Sequence, residues 1–163
     1  MRRPGTFLLV LISLALAACG YHLQGVTRYP PELAAVHLDV PDPTSDLAVQ
    51  LRRSLTASGV TLARDATDAT ATLSIVTERF GRTVKSVSAQ NRPTEYEVFY
   101  QAEYTLATLA GTVVAPQSIA RTRIFPYSER DILGKQQEEE LLRESLAREI
   151  AGVITRRLAG LSD

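Results

Sequence analysis

Hydrophobic and polar residues alternate along four stretches of this chain, which is typical of β-strands with one covered face. The alternation is clearest over 95–109, where three tyrosines share a face with apolar residues. We interpret this row as core packing, although an exposed ligand platform would show the same pattern. The predicted strands cover residues 35–40, about 71 to 87, 95–109 and about 112 to 125.

A four-residue spacing of apolar side chains marks two other stretches as amphipathic helices. Leu47, Leu51 and Leu55 predict the first, which should end at Gly59. A longer apolar stripe predicts the second, over about 136 to 159. Its members are Leu142, Leu146, Ile150, Val153, Ile154 and Leu158.

The order strand, helix, three strands, helix (βαβββα) predicts an α+β fold. We expect a two-layer sandwich, a four-stranded sheet with both helices packed on one face. Residues 60–62 are compatible with a short extended piece outside the four strands. The second face of the sheet would then lack an internal cover, which suggests a partner surface.

Several residues predict local irregularities. Gly81 suggests a bulge or kink within its strand, and Pro116 suggests an edge or a bulge because proline lacks an N–H for the ladder. Residues 126–135 are expected to form a loop. The glutamates at 138–140 are interpreted as a solvated helix start, with i,i+4 ion pairs from Glu139 to Arg143 and from Glu144 to Arg148.

The N-terminus has the form of a secretory signal. Two arginines precede an apolar run from Phe7 to Ala18 that is too short to span a bilayer as a helix. Leu16-Ala17-Ala18-Cys19 forms a lipobox, which predicts cleavage after residue 18 and acylation of Cys19. Ordinary cleavage at the A-x-A sequence, leaving a free thiol, is the alternative. Lipid chains on Cys19 would tether the mature chain, residues 19–163, permanently to a bilayer.

Gly20 follows the lipidated cysteine, so no Asp at that position marks retention in an inner membrane. An outer-membrane destination is therefore the hypothesis. The mature residues suit a single domain with a real core. Loss of the two signal arginines leaves a slight acidic excess, which argues against a nucleic-acid-binding protein.

The chain shows no catalytic constellation. It has two histidines and one cysteine, none at metal-ligand spacing, and neither a glycine-rich phosphate loop nor a nucleophile elbow. We expect neither an enzyme nor a cofactor. Residues 79–135 are locally basic, and arginine and lysine suit contacts with phosphate. Ordinary ion pairs on a solvated strand face would explain the same residues.

Cys19-Gly20-Tyr21-His22-Leu23-Gln24-Gly25 resembles the mature N-terminus of the LptE family of lipopolysaccharide-assembly lipoproteins. In that family the acylated Cys is followed by Gly, an aromatic residue, a variable one, Leu and a polar residue. The similarity continues through Thr94 to Val98, through Arg121 to Phe125, and through Lys135 leading into the glutamate-rich helix. Tyr21 stands where many members carry Trp.

The resemblance implies an outer-membrane lipoprotein on the periplasmic side that plugs the β-barrel LptD and binds lipopolysaccharide. Lys135 matches a basic position of the family and Arg92 lies near one, so both are candidate ligands of lipid A phosphates. Arg82, Lys85 and Arg130 are further candidates. Two alternatives remain: an auxiliary lipoprotein of another lipid-transport complex, and a structural envelope lipoprotein that binds no lipid.

Overall fold

The computed structural model describes residues 29–109, 111–128 and 132–162. The signal segment, Cys19 and Arg130 lie outside these ranges. The described residues form five strands and two α-helices, with short 3₁₀ turns at Pro31–Leu33, Ala66–Asp68 and Gly160–Ser162. In chain order they are β1 (Ala35–Asp39), α1 (Asp46–Ala57), β2 (Thr61–Ala63), β3 (Ala71–Val87), β4 (Pro93–Thr108), β5 (Gly111–Pro126) and α2 (Ile132–Ala159).

The sheet has five strands, in the order β2-β1-β3-β4-β5, so the prediction of four was wrong. The additional strand is β2, which pairs in parallel with β1 from Ala35 opposite Thr61 to His37 opposite Ala63. Three residues are too few to show an alternation, and the hydrogen bonds that make them a strand come from β1. The α+β class with two helices is confirmed, and the sheet is mixed: β1 is parallel to β3, and β3, β4 and β5 are antiparallel.

Helix α1 ends as its sequence predicts. Gly59 has φ +83° and follows the last helical turn. Its N–H donates to the carbonyl of Thr56 at 3.0 Å, and the N–H of Val60 donates to that of Leu55 at 3.1 Å. These two bonds form a Schellman motif, which directs the chain into β2.

The long β3–β4–β5 meander is irregular at places only partly foreseen. The pairing of β3 with β4 passes through Gly81 without a shift, so the predicted bulge there was wrong. The irregularities lie near Val76 and Lys85 instead. Pro116 does lie where the pairing of β4 with β5 is interrupted, between Gln117 and Val114, and β5 is an edge strand. The prediction for Pro116 is therefore confirmed.

The core lies between the sheet and the two helices. The buried face of β4 is the predicted row, with Val98, Tyr100, Ala102, Tyr104 and Leu106 each 2% exposed or less. Buried residues of α1 and α2 join the same cluster. The interpretation of the tyrosine row as core packing is thus confirmed for Tyr100 and Tyr104, and both helices cover one face. We call the opposite side the open face.

Helix α2 begins at Ile132, not near residue 136, so residues 132–135 are helical rather than part of a loop. Gly134 in the first turn has low intrinsic helix propensity, which is why the sequence favoured a loop there. Within the residues described, no helix is both long enough and apolar enough to cross a membrane.

Candidate functional site

Four of the five predicted basic residues lie in the described part of the chain, at one end of the sheet, where the β3–β4 turn lies beside the end of β5 and the start of α2. They are Arg82, Lys85, Arg92 and Lys135. Arg82 lies opposite the buried Val98, which places it on the helix side of β3. Lys85 contacts Glu97, the register partner of Thr83, on the open face. Because Lys85 lies on the other side of the sheet, it cannot share one small ligand group with Arg82.

The β3–β4 turn presents Arg92 at the tip of this end. Asn91 adopts φ 60°, and the N–H of Ser88 donates to the carbonyl of Arg92 at 2.8 Å. The hydroxyl of Ser88 accepts from the backbone N–H groups of Gln90 and Arg92, both at 3.3 Å. Asparagine tolerates this left-handed conformation better than most residues, so the predicted turn is well determined by its sequence.

Arg82 and Lys135, which are far apart in the sequence, line the same small cavity. Its volume is about 50 Å³, enough for a few water molecules. The other lining residues are Phe125, Tyr127, Gln136 and Glu139. We call this cavity and its rim the hairpin-end site. A larger anionic group would have to bind at its mouth.

An aromatic cluster supports Arg82. The guanidinium carbon lies 4.9 Å from the centroid of the Tyr96 ring, a cation–π arrangement. Tyr96 in turn stacks on Phe125 at 6.2 Å and meets the edge of Tyr127 at 4.9 Å. Contact with the Tyr96 ring limits the directions in which the Arg82 guanidinium can point.

Three of the candidate cations, Arg82, Lys135 and Lys85, each have a carboxylate partner. Arg82 Nη1 lies 2.5 Å from Glu139 Oε2, and Lys135 Nζ lies 2.7 Å from Glu138 Oε2. Lys85 Nζ lies 3.3 Å from Glu97 Oε1. An incoming phosphate would therefore share or displace these carboxylates.

The ion pairs along α2 correct part of the sequence analysis. The predicted pair of Glu144 with Arg148 is confirmed at 2.7 Å. Glu139 pairs with Arg82 instead of Arg143, whose Nε lies 2.7 Å from Asp46 of α1. The glutamates at 138–140 are thus not simply a solvated helix start, because Glu139 is only 22% exposed and bridges to the sheet.

Sequence reasoning missed Tyr127 and Glu139 as members of this site. The alternation did place Tyr96 on the helix-facing side of its strand, but it did not indicate what this residue would contact. Glu139 meets Arg82 only because α2 runs back along the sheet, and no local pattern predicts that register. The one available signal was the excess of acidic residues at the helix start, which the helix dipole already explained.

A larger cavity of about 440 Å³ lies further along the sheet, beside the N-terminus of α1. Its wall holds Glu78, which accepts hydrogen bonds from Ser45 Oγ at 2.9 Å and from the hydroxyl of Tyr100. Burial, together with the Glu78 carboxylate, raises the pKa of Tyr100 far above its ordinary value. A tyrosine held neutral in this way is a structural hydrogen-bond donor rather than a base.

Comparison with known proteins identifies the family. Residues 33–158 match the sequence profile described as "LptE: Lipopolysaccharide-assembly". The chain belongs to the LptE family. This is a family of lipoproteins of lipopolysaccharide assembly, not of enzymes.

Individual relatives agree with the LptE assignment. The LPS-assembly lipoprotein LptE of Pectobacterium atrosepticum is 27% identical over 154 residues, which cover 94% of this chain and 83% of that protein. Its counterpart in Yersinia pestis is 28% identical over 154 residues, covering 94% and 74%.

Solved structures share the fold. A lipoprotein B from Nitrosomonas europaea matches with a TM-score of 0.74 at 23% identity, covering 88% of this chain and 92% of that one. The rare lipoprotein B from Shewanella oneidensis matches with a TM-score of 0.69 at 24% identity, covering 78% and 96%.

Proposed function

We propose that this LptE-family chain is an outer-membrane lipoprotein, acylated at Cys19 and facing the periplasm, that binds lipopolysaccharide and plugs an LptD-like β-barrel. Residues 1–18 are its signal peptide and residues 19–163 its single mature domain. The hairpin-end site supplies the lipopolysaccharide contact through Arg82 and Lys135. Arg92 and Lys85 act as additional cations at the same end of the molecule. Arg130, which lies outside the described residues, is a further candidate from the sequence.

One observation carries the lipopolysaccharide contact: Arg82 of β3 and Lys135 of α2 line one cavity. Two cations from separate elements give a phosphate group donors from two directions, and charge-assisted hydrogen bonds to phosphate are among the stronger ones. The Lys135 side chain is only 17% exposed, so part of its interaction with an anion would be shielded from solvent.

The open face supports the barrel contact. It extends over the long strands β3, β4 and β5, and neither helix covers it. Its side chains are mixed: Ile124 is 51% exposed, Gln101 donates to Ser118 at 3.3 Å, and Lys85 pairs with Glu97. A mixed apolar and polar surface of this kind suits a protein partner.

Lipopolysaccharide binding is tested by removing charge at two of the proposed positions. Arg92→Glu combined with Lys135→Gln should weaken binding by about tenfold, because charge-assisted contacts to phosphate are lost. Gln is chosen at 135 because a carboxylate there would lie against Glu138. The control, Arg53→Glu with Arg64→Gln, makes the same total charge change at exposed positions on α1 and beyond β2.

The measurement is the dissociation constant of purified lipopolysaccharide for the full chain in detergent, with circular dichroism to verify the fold. An equal loss of binding in both double variants would show that the overall charge of the protein, and not these positions, causes the effect. Unchanged binding in a folded Arg92→Glu, Lys135→Gln protein would remove both residues from the proposal.

The partner is tested by co-expression with an LptD-like barrel and affinity purification through the barrel. A stoichiometric complex that survives detergent extraction is expected. A protein that binds lipopolysaccharide but does not co-purify would be an auxiliary lipoprotein of another transport complex. One that does neither would be a structural envelope lipoprotein.

A further inference from the structure

We propose that the groove between β5 and the C-terminal half of α2 is a second anion site, one that binds a phosphate monoester. The groove has a volume of about 220 Å³. It is lined by Arg121, Arg148, Glu149, Gly152, Val153 and Arg156. It lies away from the hairpin-end site, since the two cavities share no lining residue.

The charge of the groove favours an anion. Three guanidinium groups and one carboxylate line it, so two positive charges are in excess. Glu149 is shared, with Oε1 2.5 Å from Arg123 Nη2 and Oε2 3.9 Å from Arg121 Nε. One carboxylate that serves two arginines leaves hydrogen-bonding capacity on both guanidinium groups, each of which carries five N–H donors.

Neighbouring contacts hold the arginines in place. Glu144 and Arg123, which lie beside the groove, have opposite charges, so counting both leaves the excess at two positive charges. Arg148 pairs at 2.7 Å with Glu144, which does not line the cavity. Arg121 Nη1 donates to the carbonyl of Ala120 at 2.8 Å, and Arg123 Nη1 donates to that of Thr122 at 3.0 Å. These bonds to neutral carbonyls orient the guanidinium groups and leave their charge in place.

Gly152 keeps the floor of the groove low. A Cβ added there would lie 3.3 Å from Arg156 Nη1, so the Arg156 side chain folds back over the glycine. The guanidinium of Arg156 thereby lies over Gly152 at the floor of the groove, while the residue as a whole stays accessible to solvent. With Arg121 approaching from the strand and Arg148 from the helix, donors converge on the space from separate directions.

Phosphate monoester is the chemistry that this geometry suits. Arginine presents a planar fork of donors that matches phosphate oxygens in pairs. A monoester carries close to two negative charges at neutral pH and offers three acceptor oxygens, whereas a phosphodiester carries one charge. Two excess positive charges therefore balance a monoester more closely. The group can come from free phosphate or from a lipid headgroup.

The test uses the purified full chain in a nonionic detergent and titrates inorganic phosphate by isothermal calorimetry, with sodium chloride of equal ionic strength as the blank. Saturable binding is expected. Arg121→Gln with Arg156→Gln should weaken it by about tenfold or more, since two charge-assisted contacts are lost. The control, Arg53→Gln with Arg64→Gln, removes the same charge elsewhere and should leave binding unchanged.

Glu149→Gln should strengthen phosphate binding, whereas the arginine variants weaken it. It removes the carboxylate that competes with phosphate, so binding should become severalfold tighter, a result that a purely structural ion pair would not give. Absence of saturable binding above the chloride blank would overturn the proposal. So would an equal loss in the two double variants.

Two short-chain lipids then identify the source of the group by competition with phosphate. Displacement by dihexanoyl phosphatidic acid, a monoester, but not by dihexanoyl phosphatidylglycerol, a diester, assigns a lipid headgroup. Displacement by neither assigns free phosphate. Equal displacement by both lipids would contradict the choice of a monoester.

Discussion

The ring of Phe99 on β4 covers Gly81 on β3 so closely that a Cβ on Gly81 would lie 2.6 Å from Phe99 Cζ. The two residues are register partners on the open face. The glycine is therefore explained by the aromatic ring above it and not by a bulge. An aromatic side chain that packs over a cross-strand glycine is a recognised way to stabilise such a position in a sheet.

Gly81→Ala should destabilise the protein by about 1 to 3 kcal/mol, because the ring would have to leave its place. Phe99→Leu should relieve the clash, so the double variant should be more stable than the sum of the single effects predicts. Urea denaturation of the two single variants and the double variant measures this coupling. If Gly81→Ala alone were neutral or stabilising, the ring would not be fixed over the glycine.

Gly152→Ala should stabilise the protein, in contrast to Gly81→Ala. Gly152 lies inside α2, where alanine is favoured over glycine by about 1 kcal/mol. The nearest atom to the new Cβ, at 3.3 Å, is the far end of the flexible Arg156 side chain, which can move. We expect the free energy of unfolding to rise by about 0.5 to 1 kcal/mol.

Gly59→Ala is the matched control for this measurement. Nothing lies within 4 Å of a Cβ there, but φ is +83°. A left-handed conformation costs a residue with a Cβ about 1 to 2 kcal/mol, so this variant should lose stability. A loss of stability in both variants would indicate that Arg156 cannot leave the floor of its groove.

Local sequence patterns predict some elements of this fold but not others. The alternation from Glu95 to Leu109 located β4 and its buried face, because a half-buried strand imposes a period of two on its own residues. Gly59 predicted the end of α1 for a similarly local reason, because glycine readily adopts the positive φ that ends a helix. In contrast, β2 is a strand only because it pairs with β1. Its three residues are too few to show an alternation that would predict this pairing.

The candidate site was predictable only in its cations. Lys135 was recognised by family resemblance and Arg82 by residue type alone, but their joint cavity depends on how α2 returns along the sheet. The Glu139 to Arg82 pair replaced the predicted pair with Arg143 for the same reason. Surface ion pairs are worth little individually, so a contact across the fold can override the local i,i+4 preference.

Tyr100→Phe should change the dependence of stability on alkaline pH. The pKa of Tyr100 is raised in the folded protein above its unfolded value of about 10. Above pH 10 the unfolded chain therefore binds fewer protons than the folded one, and stability falls as pH rises. This one group contributes up to about 1.4 kcal/mol per pH unit, a contribution that the variant lacks.

Denaturation curves at several pH values from 7 to 11 test this difference, since the other tyrosines contribute equally to both proteins. At pH 7 the variant should be less stable by about 1 kcal/mol, from the lost hydrogen bond to Glu78. The gap should narrow above pH 10. Parallel curves across the whole range would show that Tyr100 ionises as readily in the folded state as in the unfolded one.

Glu139→Gln should strengthen lipopolysaccharide binding while costing little stability. The Glu139 carboxylate lies 2.5 Å from the guanidinium of Arg82. A phosphate that approaches the hairpin-end site is therefore attracted by Arg82 and repelled by Glu139. Gln removes the repulsion and keeps the shape. The pair is partly exposed, and its loss should cost about 1 kcal/mol or less. Glu140→Gln is the matched control, because Glu140 is the next residue along α2 but pairs with Arg143. Tighter binding in Glu139→Gln and unchanged binding in Glu140→Gln would identify Arg82 as a direct ligand. Weaker binding in Glu139→Gln would mean that the carboxylate positions Arg82 for the phosphate instead of competing with it.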